Sequence, residues 1–539
     1  MKMFCLHKIL LCFLSAILIV NNTVLCQSKK SNSPDYRAIN ISGNFLSSEH
    51  PDTVTILIWD DIEIMSKKDV LPHRELKFSV NNGCFNARII PHAKISFISF
   101  GWKKINESGL LKEFIEAFPT ESGDQIKLTI NDPTKELDTS NVAFGGRNGA
   151  SYKCKFELEN TSQSELRGWN FEPGNSFEGL ETSKNNSRWI DSNAKPTNEY
   201  YFDYLTGVMN GKNIWDIILK KQNKILAAYK SKLSPNIYNL LKIEAISNAS
   251  NFKEFDFESA INRFQKKLKA PEWLKEKEKI ENYFSFSDSL RKHFPRYIIL
   301  KSPSYALFIW HRFLMQRELG NVASVHDAIK NNVQGPLRDK LLYVDIFLDG
   351  WHWDSDTREK AAKDSYAIIK ENKYRLLLKR YLKNTGVGTI AYNFSLPDST
   401  GKINSLHDFK GKIVFIDFWF VGCGGCSLYY RNVVSKVEDY FKNNSSVVFI
   451  SISATPDKLA WLTGVNSNKY TSTSAVNLYS SIGFSDPLFK HFGVVSYPHP
   501  LLVGKDQKII SDSDKELRAN GVQGLITMID KAIAENNTH

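Results

Sequence analysis

Apolar and β-branched residues recur through much of the first third of the chain, in the strand-like stretches 39–43, 54–59, 76–80, 85–90, 95–100, 126–130 and 152–158, and several of these alternate apolar and polar positions with period two. The stretches predict β-strands, and Asn81-Asn82-Gly83 predicts a turn between two of them. Together they describe a β-sandwich, with Phe114 and Ile115 in a short helix between strands. Residues 160–197 are rich in Ser, Asn, Gly and Glu and read as a linker or surface excursion. From 200 to 382 the period becomes helical, in 214–232, 237–249, 257–268, 304–318, 336–348 and 356–384, with helix starts at Ser234-Pro235 and Gly335-Pro336. The aromatic groups Phe308, Trp310, His311 and Trp351, His352, Trp353 read as helix core or as a binding surface; the two histidines are not placed as a metal pair.

A further change of period comes near Gly386. The run 413–420 is almost continuous in Val, Ile, Phe and Trp, as in a strand buried on both faces, and one acid, Asp417, interrupts it. After Cys426 the apolar positions Leu428, Val433, Val434, Val437 and Tyr440 follow an approximately helical spacing. Strand, tight turn and helix therefore meet at Cys423 and Cys426, a redox-site layout. A helix starting there aims its free N–H groups and positive dipole end at the first sulfur and stabilises a thiolate. That makes Cys423 the nucleophile and Cys426, one turn on, the resolving thiol. A free cysteine has a pKa of about 8.5, and in such sites it falls to roughly 3.5–7.5, so attack on a disulfide is possible near neutral pH.

The chain has 539 residues, room for three or four domains at ~150 residues each. Its net charge of +12 is spread along the sequence, with no arginine-rich run or nucleic-acid motif, so it describes a solvated surface and no nucleic-acid partner. At the N-terminus, Lys2 and Lys8 precede an apolar run over 9–20 and a polar exit at Gln27, the plan of a secretory signal peptide. The chain is thus expected to be exported to the periplasm or cell envelope, with cleavage after Cys26. The alternatives are a lipoprotein anchored at Cys26, whose Thr-Val-Leu lacks the small preceding residue such processing needs, and a retained signal anchor. Three of the seven cysteines lie in this leader, leaving Cys84, Cys154, Cys423 and Cys426. Cys84 and Cys154 are either one structural disulfide or two buried apolar residues.

Residues 394–419 resemble the thioredoxin-like superfamily, in particular its exported TlpA-like, AhpC/TSA- or peroxiredoxin-related branch. The residues that carry the resemblance are Phe394-Ser-Leu-Pro, Gly401-Lys-Ile, Leu406 and Gly411-Lys-Ile-Val-Phe-Ile-Asp-Phe-Trp419. The resemblance continues through Val447-Val-Phe-Ile-Ser-Ile-Ser453, Asp457, Trp461 and Phe492-Gly-Val-Val-Ser-Tyr-Pro498, covering about 150 residues from Gly386. It implies a cis-proline at Pro498 facing the cysteines, with Trp419, Tyr497 and Pro498 shaping the substrate groove. It also implies a buried proton-handling acid at Asp417, beneath Cys426. Four positions depart from the pattern. Gly422 replaces a common Trp, Gly424-Gly425 replaces a pair ending in proline, and Tyr429 stands where exported reductases often carry Glu. The preceding regions resemble, in order and texture, those of large exported thiol-disulfide proteins of Bacteroidetes type.

The expected plan is a signal peptide over 1–26, a β-sandwich domain over 27–165, a linker over 166–199, a helical domain over 200–385 and an α/β thioredoxin-like domain over 386–539. The expected activity is extracytoplasmic thiol-disulfide exchange that reduces protein disulfides through the Cys423–Cys426 pair. It calls for no cofactor beyond that redox-active disulfide, no metal, and a membrane or periplasmic electron donor. Zinc would need a second ligand pair, and a peroxidase would need a lone cysteine in a Pro/Thr-rich loop. Two alternatives stay open: an interaction protein with a degenerate thioredoxin-like domain, and a copper-handling relative using His491 or His499, although that class spaces its cysteines one residue wider.

Overall fold

The computed structural model describes residues 37–63, 73–102, 112–135, 140–168, 214–267, 269–284, 290–348, 350, 353–494 and 496–535. The leader, most of the expected linker, and Trp351 and His352 lie outside the described residues.

Eight strands open the described chain: β1 (Ile39–Phe45), β2 (Thr53–Trp59), β3 (Arg74–Ser79), β4 (Cys84–Ile89), β5 (Ile95–Trp102), β6 (Lys112–Glu121), β7 (Gln125–Ile130) and β8 (Val142–Gly145). They form two four-stranded sheets, ordered β4-β1-β7-β8 and β3-β2-β5-β6. Ile39, Ile41, Phe85 and Leu128 of the first sheet share one apolar cluster with Val54, Ile56, Ile98 and Phe100 of the second. The second sheet is covered on its other face as well. Leu57, Trp59, Ile95 and Phe97 join a cluster made mainly of helical residues, which is why β5 is buried at every position.

Two sequence expectations fail in this region. Residues 152–158 are part of a helix, Gly149–Gly168, which also takes in the start of the linker. Tyr152 and Phe156 face the sheets, while Cys154 and Leu158 face Leu226 and Leu241 of later helices. Two apolar faces, each spaced i,i+4, interleave in the sequence as a period of two. Phe114 and Ile115 lie in β6. Ala117, at φ 45, interrupts the alternation there, and the pairing with β5 shifts register nearby. Cys84 is exposed and Cys154 buried, both unbonded, and burial pushes the Cys154 thiol up to about 12.

Helices then follow from Ile214–Tyr229 to Asn372–Asn384. The starts at Ser234-Pro235 and Gly335-Pro336 coincide with the helices Pro235–Lys267 and Gly335–Leu348. The stretch 356–384 divides into Ser355–Ile368 and Asn372–Asn384. Phe308 and Trp310 are core residues, and the Trp310 indole N–H donates to Asp345 at 2.8 Å.

The C-terminal part begins with a hairpin of β9 (Ser395–Pro397) and β10 (Ile403–Ser405) and continues with β11 (Ile413–Trp419), β12 (Val447–Ser453), β13 (Val476–Tyr479), β14 (His499–Val503) and β15 (Ile509–Ser511). The last five form one sheet ordered β13-β12-β11-β14-β15. β11 pairs parallel with β12 and antiparallel with β14, so it is the central strand. A helical run over 424–441 connects β11 to β12, and the helix Lys458–Asn466 connects β12 to β13. Being central explains the unbroken burial of β11.

Candidate redox site

Alternation along β11 sets the site. Val414, Ile416 and Phe418 enter one core cluster. Ile413 and Phe415 enter the cluster under the 424–441 run, and Trp419 packs with both cysteines, Trp461 and Val465. Asp417 lies between Phe415 and Trp419 in the alternation, hence on the face that carries the cysteines.

Cys423 and Cys426 are joined by a disulfide, with Cα atoms 5.3 Å apart. Cys423 is the N-cap of the helix Gly424–Tyr429, and its sulfur accepts from the Cys426 N–H at 3.0 Å. The helix continues through a π segment, Tyr430–Val434, into Ser435–Phe441. Cys423 is 6% exposed and Cys426 is wholly buried, so the first sulfur is the one nearer an incoming group. Gly422 has φ 97, a left-handed conformation that a Trp there would strain. Its N–H donates to the Tyr470 hydroxyl at 3.0 Å, and the Val421 N–H donates to Thr455 Oγ1 at 2.9 Å. The turn is thus held by two side chains from beyond β12.

The Tyr497–Pro498 peptide is cis. A Cβ at Gly425 would stand 3.4 Å from Pro498 Cδ, which places the proline against the turn. Tyr497 sits edge-on to Phe420 and Phe484. Trp419, expected to line the groove, does not reach it: its side chain is fully buried, donates to Ser451 Oγ at 2.6 Å and stacks on Tyr470 at 4.9 Å. It backs the site from within the sheet.

Asp417 is buried, and neither carboxyl oxygen is hydrogen-bonded among the described residues. Burial pushes its pKa well above the usual carboxylate range, the Glu438 charge adds to this, and Arg518 offsets it in part. A narrow crevice of about 10 Å³ runs against Asp417, Tyr430, Glu438, Ser451 and Thr471, room for roughly one water molecule. Burial also raises Glu438, while the Ser472 and Tyr430 hydroxyls oppose the rise. Sequence reasoning missed Glu438 and Tyr470. Glu438 had a signal: with Tyr430 and Val434 it falls at i+4, i+8 and i+12 from Cys426, an acid on an apolar helical face. Tyr470 had none, because its role depends on a loop closing over Trp419. At position 429 the Tyr hydroxyl donates to the Leu517 carbonyl at 2.9 Å and burial raises its pKa, so it stays a neutral phenol.

The two candidate copper ligands, His491 and His499, each pack against an aromatic ring. His491 stacks on Tyr392 at 4.0 Å, and His499 is buried beside Phe418.

Residues 387–512 match the AhpC/TSA family. Over 129 residues the chain is 27% identical to the thiol-disulfide oxidoreductase ResA of Bacillus thuringiensis subsp. konkukian, covering 23% of this chain and 68% of the relative. The C-terminal region that carries this match is a thioredoxin-like domain of TlpA type. The domain's kinship extends to ResA of Geobacillus thermodenitrificans, 25% identical over 125 residues, which are 23% of this chain and 66% of that protein. Among solved structures, the thioredoxin domain of a thiol-disulfide oxidoreductase from Bacteroides vulgatus is 25% identical, with a TM-score of 0.24 over 27% of this chain and 96% of that one. A thiol:disulfide interchange protein from Bacteroides sp. is 25% identical, with a TM-score of 0.24 over 29% and 97%.

Proposed function

We propose that this protein is an extracytoplasmic thiol-disulfide oxidoreductase that reduces disulfides in protein partners through Cys423 and Cys426. The observation that carries the reading is the disulfide at the head of the 424–441 run, with one sulfur nearer the surface, the other buried, and a cis-proline against the turn. The naming of its relatives as thiol-disulfide oxidoreductases supports the reaction class. The sequence of the leader supports export to the periplasm or envelope. Among the described residues no helix is long and apolar enough to cross a membrane. The two-sheet unit serves as a β-sandwich domain and the helices that follow as a second domain, both ahead of the redox domain.

In the reduced enzyme the Cys423 thiolate attacks one sulfur of the partner disulfide. The partner S–S bond breaks, a mixed disulfide forms, and the departing partner sulfur takes up a proton. Cys426 then gives its proton to the Asp417 carboxylate and attacks the Cys423 sulfur. The mixed disulfide breaks, the second partner sulfur leaves and takes up a proton from solvent while Asp417 releases the one it accepted, and the partner departs as a dithiol carrying the two electrons that the cysteines lost. A thiol donor in the membrane or periplasm returns the pair to the dithiol, with no further cofactor. Asp417 suits its part because burial has brought its proton affinity up towards that of a thiol. Tyr497 and Pro498 form the wall against which the partner strand lies.

The full chain, reduced beforehand, is expected to reduce a protein disulfide in stoichiometric amount, and with a thiol donor catalytically. Cys423→Ser is expected to abolish both, and Cys426→Ala to accumulate the mixed disulfide on a non-reducing gel. Undiminished reduction by Cys423→Ser would sink the mechanism.

A further inference from the structure

Beside Cys423, on the flank of the turn away from Pro498, opens a second concavity of about 630 Å³. One wall is the redox helix, where Ser427 and Arg431 line the groove at i+4 and i+8 from the nucleophile, so the face that starts at Cys423 runs along it. The other wall is the loop after the helix Lys458–Asn466, with Asn468, Lys469 and Tyr470. That loop is tied to the active-site turn through the Gly422–Tyr470 hydrogen bond and the stacking of Tyr470 on Trp419. Arg431 and Lys469 are both exposed, one on each wall. Among the described residues no acid lines the groove and neither cation is in an ion pair. The Tyr497, Phe484 and Phe420 wall on the other side is apolar, so the two approaches to Cys423 differ in charge.

We infer that this groove binds an acidic segment of the partner polypeptide next to its target cysteine. The inference rests on the thiol-disulfide reading above and names the class of substrate that site prefers. Arg431 stands eight residues along the helix from Cys423, about 12 Å at ~1.5 Å per residue. An extended peptide advances ~3.3 Å per residue, so the favoured Asp or Glu lies about three to four positions from the target cysteine. Charges at such a rim act mainly through the rate of encounter and the register of docking.

The test uses the full-length reduced protein and synthetic ten-residue peptides, each with one cysteine held as a mixed disulfide with thionitrobenzoate. The peptides carry Glu, Ala or Lys three and four positions from the cysteine, and released thionitrobenzoate gives the second-order rate constant. The expected order is Glu, then Ala, then Lys, with about 3–10-fold between the extremes at low salt and less at high salt. The double reversal Arg431→Glu with Lys469→Glu is expected to invert the order. Inversion needs a folded groove, whereas a misfolded variant would lose all three rates together. Equal rates for the three peptides on the wild type overturn the acidic-segment inference and leave the redox reading standing. Failure of every peptide to release thionitrobenzoate overturns both.

Discussion

Asp417 is the residue whose surroundings say most about the chemistry. A carboxyl group buried without hydrogen-bond partners disfavours its own charge. Its folded pKa lies above the unfolded value of about 4, so the penalty is absent below that pH and grows as pH rises towards the folded pKa. Asp417→Asn is therefore expected to differ from the wild type by a constant amount near pH 4 and to gain on it as pH rises to 7 and above, because the amide escapes the cost of holding a buried carboxyl against ionisation. The same variant should slow resolution of the mixed disulfide by about 10²-fold, the low end for a positioned acid–base group. Calorimetry across pH and stopped-flow resolution kinetics check the two halves. Glu438 faces the same crevice, and its charge raises Asp417 further. In Glu438→Gln that repulsion is gone, Asp417 ionises at lower pH, and the pH profile of resolution should move to the acid side. An unmoved profile would remove Glu438 from the proton path.

At the scale of elements, the glycines of the turn separate into those the backbone requires and those it merely tolerates. Gly422 needs its left-handed φ, whereas a Cβ at Gly424 meets nothing within 4 Å and the residue is helical. Gly424→Ala is thus expected to stabilise the protein by about 0.4–1 kcal/mol by narrowing the unfolded ensemble. At Gly464 a Cβ would come within 2.9 Å of Val421 Cγ2 and 3.0 Å of the Trp419 ring. Gly464→Ala should cost about 1–3 kcal/mol through overpacking directly behind the active-site turn. Thermal melts of the two single variants distinguish these opposite signs. The same comparison shows what the sequence could reveal. The β11 strand, the turn and the helix after it were legible because a buried central strand and an amphipathic helix leave different periods. The helix Gly149–Gly168 was not, because it is sandwiched between sheets and helices and its two apolar faces interleave into a strand-like alternation. Trp419 was misplaced for a related reason: an aromatic residue next to a redox turn looks the same in sequence whether it lines the groove or supports it.

For the whole molecule, the helical region and the thioredoxin-like domain are joined by polar contacts close to the active site. Arg358, in the helix Ser355–Ile368, pairs with Asp512, and both side chains are almost fully buried. Ser355 donates to Glu516 at 2.7 Å, and Ser513 donates to the Trp353 carbonyl at 2.5 Å. Residues 511–518 then carry Leu517, whose carbonyl holds the Tyr429 hydroxyl, and Arg518, whose charge acts on Asp417. Residues 353–358 of the helical region therefore hold a segment that the redox centre feels. Removing one partner of a buried ion pair leaves the other charge uncompensated, at a cost of about 3–5 kcal/mol. Asp512→Ala is expected to lower stability by that amount and to separate the melting of the thioredoxin-like domain from that of the helical region. The double replacement Arg358→Met with Asp512→Leu should restore most of the loss, since an apolar pair can fill the same space. A single unshifted transition in Asp512→Ala would mean that the Arg358–Asp512 pair contributes nothing to the coupling of the two regions.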